Sequence, residues 1–170
     1  MKRNDYTILS NYDIIELANK LKINDLVFVG SQDLLNTIPK KMRKNKFYII
    51  NFDNESGAGN HWVCLSTHMS KDRDPFYADS FGQPPPMKVH TFVSNLKSKQ
   101  LNYWDKQLQS LNSTICGWYC VLVCDMMNQY YMKGLGFNDF INDFKKMGWN
   151  YDRQEKNNYK IVDKYFSKRI

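Results

Sequence analysis

The chain runs to 170 residues, 42% of them apolar and 15% aromatic, with a formal charge of +7. That length fits a single domain over residues 1–170, able to bury about two thirds of its unfolded surface around one core without disulfide staples. No apolar run approaches the roughly 18 residues of a membrane span, which argues against a transmembrane protein and leaves no membrane among the expected partners.

The opening residues, MKRNDYTILSNYD, lack the apolar stretch and small-residue cleavage site of a secretory signal. Cys64, Cys116, Cys120 and Cys124 therefore read as reduced thiols in a cytosolic or nuclear setting. The basic residues are scattered through KKMRKNK, KDR, KSK, KK and SKRI. Such a distribution describes either a solvated surface or a weak, salt-dependent and non-specific attraction to DNA or another polyanion. No nucleic-acid-binding motif of known mechanism accompanies it.

In chain order, Ser10 with Asp13 resembles a capping box, and Ile14, Leu17, Ala18 and Leu21 supply the i, i+3, i+4, i+7 stripe of an amphipathic helix. LVFVG, KFYIINF, HWVCLS and FYADS are short runs rich in β-branched and aromatic residues, each bounded by Asn, Gly, Asp or Pro, and they predict strands. Behind the prolines at 84–86, Val89, Phe92, Val93 and Leu96 predict a second helix, and YWDKQLQ is expected to add a further strand. From Cys116 to about Lys133 the chain is apolar nearly all round at first, the signature of a helix enclosed by other elements, with Gly134 ending it. Phe137, Phe140, Ile141 and Phe144 make another amphipathic stripe, and Tyr159, Val162 and Phe166 a terminal helix. Strands in the middle with helices before and after them predict an α+β domain.

The stretch NSTICGWYC sets Cys116 at the first turn of the enclosed helix. There, unpaired N–H groups and aligned peptide dipoles would stabilise a thiolate, the reactive form of cysteine. Cys120 and Cys124 lie one and two turns further in, where a cysteine acts as a small buried hydrophobe. The same bland role stays open for Cys116 itself.

A nucleophile also needs a base. Of the three histidines, His61 opens a strand directly after GAGN with Trp62 behind it, so its imidazole could face a cleft, whereas His68 in a polar loop and His90 at a helix start are expected at the surface. Asp79, at the end of FYADS, would come within reach of His61 if that strand pairs with HWVCLS, and would hold the imidazole in the right tautomer. Its alternative role is a turn carboxylate capping Ser80 or Gly82, and Asp74 is a weaker candidate within the turn. An oxyanion at a scissile carbonyl would find the backbone N–H of Cys116 and a side-chain amide, that of Gln109 seven residues upstream or of Gln107. Gly117 would leave the approach to the sulfur free of a Cβ. A zinc site built from His61, Cys64, Cys116 and Cys120 has suitable ligands, but strand alternation sends residues 61 and 64 to opposite faces, so no metal is expected.

Taken in order, GNHW, ADSFG and QSLNSTICG resemble the adenovirus-type maturation proteases, whose relatives occur in virophages and self-synthesising DNA transposons. The shared pattern is a histidine followed by tryptophan, an acidic residue in a segment ending Phe-Gly, and a glutamine seven residues before a cysteine that precedes glycine. The resemblance extends weakly over nearly the whole chain. It implies an adenain-type fold, with a central mixed sheet packed against helices and the nucleophile at the N-terminus of a buried helix. It further implies Cys116 as nucleophile, His61 as base and then acid, Asp79 as its orienting carboxylate and Gln109 as oxyanion donor. The acidic position is glutamate in the adenovirus enzymes and aspartate here, one methylene shorter. No cofactor is required for such chemistry, although members of the family are activated by DNA or by a peptide tethered through an upstream cysteine. The segment VSNLKSKQLNYW has no cysteine to tether one.

The function expected from this resemblance is a cysteine endopeptidase that cuts viral capsid or core precursor proteins at glycine-containing sites during virion maturation. It would act in the virion and in the cytoplasm or nucleus of the host cell. Two alternatives stand beside it: a peptidase that removes ubiquitin-like modifiers, and a non-enzymatic basic protein that packages nucleic acid, in which Cys116 is a core residue.

Overall fold

A computed structural model describes residues 6–53, 56, 61–68, 74–94, 96, 100–135, 137–147 and 154–170, with backbone only at 137 and 154–158. Most of the glycine-containing loop at 53–60 and the turn at 69–73 lie outside the described residues. Five strands, β1 (Leu26–Ser31), β2 (Phe47–Asn51), β3 (Trp62–Ser66), β4 (Phe76–Ala78) and β5 (Asn102–Tyr103), form one sheet in that spatial order. β1 runs parallel to β2 and β5 parallel to β4, while β2, β3 and β4 are antiparallel neighbours, so the sheet is mixed.

Alternation along β2 decides how the sheet is covered. Phe47 and Ile49 point into a core shared with α1 (Asn11–Lys20), α3 (Cys116–Met132), α4 (Phe137–Lys146) and α5 (Gln154–Phe166). Tyr48 and Ile50 point the other way, toward α2 (Met87–Val93) and a short 3-10 turn at Leu35–Thr37. With both faces covered, all five residues of β2 and of β3 are buried, which explains why those runs are apolar without strict alternation.

The helices form where their sequence signals lie. Ser10 and Asp13 close the capping box of α1, and Ile14, Leu17 and Ala18 are its buried face. α3 is buried along most of its length and ends where Gly134, at φ +67°, lets the N–H of Leu135 reach back to the carbonyl of Tyr130. Asp125, fully buried on α3, accepts two hydrogen bonds from the Arg169 guanidinium and one from the Tyr165 hydroxyl, tying α5 to the centre of the molecule.

Two expectations are corrected here. YWDKQLQ is not a strand beyond Tyr103, because the N–H groups of Leu108 and Gln109 both turn to the carbonyl of Ser80 and leave the ladder. His68 is buried instead of exposed: its ring stacks on Tyr131 at 4.1 Å and lies 4.6 Å from that of Phe47, cover that only the folded chain supplies. His90 is exposed on α2, as its position suggested.

Candidate functional site

The antiparallel pairing of β3 with β4, Cys64 opposite Ala78 and Leu65 opposite Tyr77, brings the start of one strand beside the end of the other. His61 directly precedes β3 and Asp79 directly follows β4, so both emerge at the same end of the two strands. His61 Nε2 lies 2.8 Å from Asp79 Oδ1, and the carboxylate is 1% exposed. The same oxygen accepts the N–H of Phe81 at 2.7 Å, which fixes the carboxylate before it meets the ring. Phe81 also stacks on the imidazole, with ring centroids 4.5 Å apart, and shields it from water.

α3 packs against β3 and aims its first turn at this end. Its N-terminus carries no side-chain cap, so its leading N–H groups are not spent on a neighbouring side chain. Cys116, 8% exposed, lines one cleft with His61. Burial alone would raise its pKa, but the donors around it, His61 and the backbone N–H groups of Trp62 and Gly117, and the charge on His61 outweigh that and bring the thiol below its ordinary value. For His61 burial acts downward, while hydrogen bonds to Asp79 and Cys116 and the charges on both raise it to about 9. Because Nε2 serves Asp79, Nδ1 is the nitrogen left for the sulfur. The arrangement favours a thiolate paired with an imidazolium. By contrast, burial pushes the thiols of Cys120 and Cys124 well up, and together with Cys64 they are sealed in the core.

Gln109 is 1% exposed and lines the same cleft of about 120 Å³ as His61, Trp62, Phe81 and Cys116. Its amide nitrogen donates to the Ser113 carbonyl at 2.5 Å, and its amide oxygen accepts from the Ser80 hydroxyl at 2.7 Å. Gln107 is elsewhere engaged, donating to the carbonyl of Gln109, and does not line the cleft. Asp74 accepts from the N–H of Gln100, away from the site. Gly117 also serves the packing of its helix. A Cβ there would come within 3.1 Å of Leu9 and 3.4 Å of Trp62, so the glycine permits close packing of α3 on those side chains. Among the described residues, no group of three or more His, Cys, Asp or Glu is arranged to hold a metal ion.

Other residues have parts that were not foreseen. Phe81, which lines the cleft, was visible only as a member of the ADSFG pattern, and Ser80, which binds Gln109 behind it, only as a residue next to the acid. Ile8, exposed at the rim, belongs to a segment held by two indoles: Trp62 donates to the carbonyl of Leu9 and Trp118 to that of Thr7. Nothing in TILS announces that contact. Ser113 and Thr114 are shared with an adjoining hollow of about 440 Å³, so the narrow point beside the sulfur has open space next to it.

No family model matches the chain, and neither does any curated protein sequence. Two crystal structures of the ASFV pS273R protease are similar to it. One aligns over 97% of this chain and 68% of that one at 14% identity with a TM-score of 0.57. The other, a selenomethionine form, aligns over 85% and 69% at 14% identity with a TM-score of 0.52. At such identity the likeness is one of fold, and the expected α+β fold with a mixed sheet packed against helices is the fold observed.

Proposed function

We propose that this chain is a cysteine endopeptidase acting on viral precursor proteins. The observation that carries the reading is a single imidazole that is hydrogen-bonded to a buried carboxylate and shares one cleft with a thiol at a helix N-terminus, whose pKa it lowers. The fold it shares with a viral protease supports the same reading.

In this mechanism the Cys116 thiolate attacks the scissile carbonyl, forming a C–S bond while the carbonyl electrons move onto oxygen. The backbone N–H of Cys116 and the Gln109 amide donate to that oxyanion, each such donor being worth on the order of a hundredfold or more in rate. The imidazolium of His61 gives its proton to the departing amine as the C–N bond breaks. A water then loses a proton to the neutral ring and its oxygen displaces the sulfur, returning the thiolate and releasing the carboxylic acid.

The cleft of about 120 Å³ walled by Trp62, Phe81 and Gln109 favours residues with little or no side chain next to the scissile bond, in keeping with glycine-containing sites. Capsid or core precursors are the proposed substrates, and the virion and host cytoplasm or nucleus the proposed location. The net charge of +7 and the exposed Lys40, Lys41 and Lys44 in one short segment favour non-specific electrostatic binding of DNA as an activator. Among the described residues no helix is long and apolar enough to cross a membrane.

The test is hydrolysis of a fluorogenic peptide amide ending in Gly-Gly, followed by mass spectrometry of a cleaved capsid precursor. Wild-type protein should cleave both and Cys116→Ala neither. Activity that survives Cys116→Ala would refute the assignment. A rate indifferent to DNA at low salt would remove DNA as a partner.

A further inference from the structure

The turn that follows β4 holds more than the acid. Asp79 binds His61, Phe81 stacks on it, and between them Ser80 binds the segment that carries Gln109 through three hydrogen bonds. Its carbonyl accepts the N–H groups of Leu108 and Gln109 at 2.7 and 2.8 Å, and its hydroxyl donates to Gln109 Oε1 at 2.7 Å. Ser80 is 4% exposed, so no water competes for that hydroxyl. Gly82 closes the same turn at φ +72°, and a Cβ there would meet the backbone of Lys106 at 2.6 Å. The turn and the 106–109 segment are therefore seated against each other with no slack.

A glutamine amide has two orientations, and only its partners choose between them. A carbonyl oxygen accepts and never donates, so the group facing the Ser113 carbonyl must be the NH₂. The oxygen then faces Ser80, whose hydroxyl supplies the donor. One N–H of the NH₂ goes to Ser113, and the residue lines the cleft that holds Cys116, so the second N–H is the donor left for a ligand there. Without the Ser80 hydroxyl the buried Oε1 would lose its partner, and the side chain would gain by turning elsewhere in search of a donor.

The geometry points to Ser80 as the positioning residue that sets which face of the Gln109 amide is offered to the developing oxyanion, an assignment that rests on the peptidase reading above. Ser80 touches no reacting atom. It acts through Gln109, and it couples the oxyanion donor to the same four-residue turn that orients His61.

A double-mutant cycle on the fluorogenic Gly-Gly peptide amide tests this. Ser80→Ala should lower kcat about tenfold with KM within about twofold, since an oxyanion donor acts in the transition state. In a Gln109→Ala background the same change should add less than about a twofold loss. Ser80→Thr, which keeps the hydroxyl, should recover most of the rate. The rate of Cys116 alkylation by iodoacetamide should be unchanged in Ser80→Ala, because the thiolate–imidazolium pair is left in place. Should the alanine variant fail to fold, Ser80→Cys, a weak donor of nearly the same size, carries the same expectation. Wild-type kcat in both Ser80→Ala and Ser80→Cys, a full loss that persists without Gln109, or slowed alkylation would overturn the inference. A wild-type protein that cleaves no peptide would instead overturn the peptidase reading itself.

Discussion

Replacing Asp79 by Asn removes one charge from the site with little change of shape. The Asn Oδ1 can accept the same two bonds that the carboxylate takes now, from His61 Nε2 and from the N–H of Phe81. What disappears is the negative charge that, with the Cys116 sulfur, holds His61 charged against the pull of burial, up to about 9. The distance from the ordinary 6.5 to about 9 corresponds to roughly 3 kcal/mol in favour of the imidazolium. An adjacent opposite charge typically supplies about one to three pH units of such a shift. The acid that protonates the leaving amine is the charged ring, so activity falls as pH rises through its pKa. In the wild type that descending limb should sit near pH 9. In Asp79→Asn it should move to lower pH by about one to two units. The thiolate, deprived of part of its cationic partner, should need higher pH to form, so the ascending limb moves up. The assay is kcat/KM for the Gly-Gly peptide amide between pH 5 and 10, with iodoacetamide labelling of Cys116 read in parallel; these pH limits are roughly those within which its groups titrate. The bell should narrow from both sides, and its peak should fall at least about tenfold. An unmoved descending limb would refute the assigned role of the carboxylate.

Other perturbations probe the frame around the site. Gly82→Ala places a Cβ against the backbone of Lys106 at a positive φ, and should destabilise the fold by about 1–3 kcal/mol and lower kcat by displacing Gln109, as read by urea midpoints and turnover. His68 is held neutral by burial, with a pKa near 4 against 6.5 when unfolded, so the unfolded chain binds its proton first as pH falls. Stability from this residue is present above pH 6.5 and is lost down to about 4, by up to roughly 3 kcal/mol. His68→Phe, which keeps the stack on Tyr131, should flatten that acid slope in urea denaturation, and an unchanged slope would exclude His68 as its origin. Arg169→Leu strands the buried carboxylate of Asp125 with Tyr165 as its remaining partner, and should cost about 3 kcal/mol in thermal or urea unfolding.

The order of elements was legible because each carries its own local signal: a capping box at Ser10, a 3.6-residue stripe in α4, two short and largely apolar runs in β2 and β3. The meeting of His61 with Asp79 was legible too, since one antiparallel pairing brings a strand start beside a strand end. Features that depend on distant chain segments were not. The irregular course of 104–109 follows from bonds to the Ser80 carbonyl, which no pattern within YWDKQLQ encodes. His68 looked like a surface residue because its cover comes from Phe47 and Tyr131. The close packing of Gly117 on Leu9 and Trp62 was likewise invisible in the sequence.

The β3–β4 hairpin has a closed end and an open end, and the proposed base and its orienting carboxylate both hang from the open one. The β3–β4 register rests on the pairs Cys64–Ala78, Leu65–Tyr77 and Ser66–Phe76, and those pairs are what set the alignment of His61 with Asp79. An affinity epitope grafted between Asp79 and Gly82 should therefore abolish turnover, by parting the acid from the segment that carries Gln109.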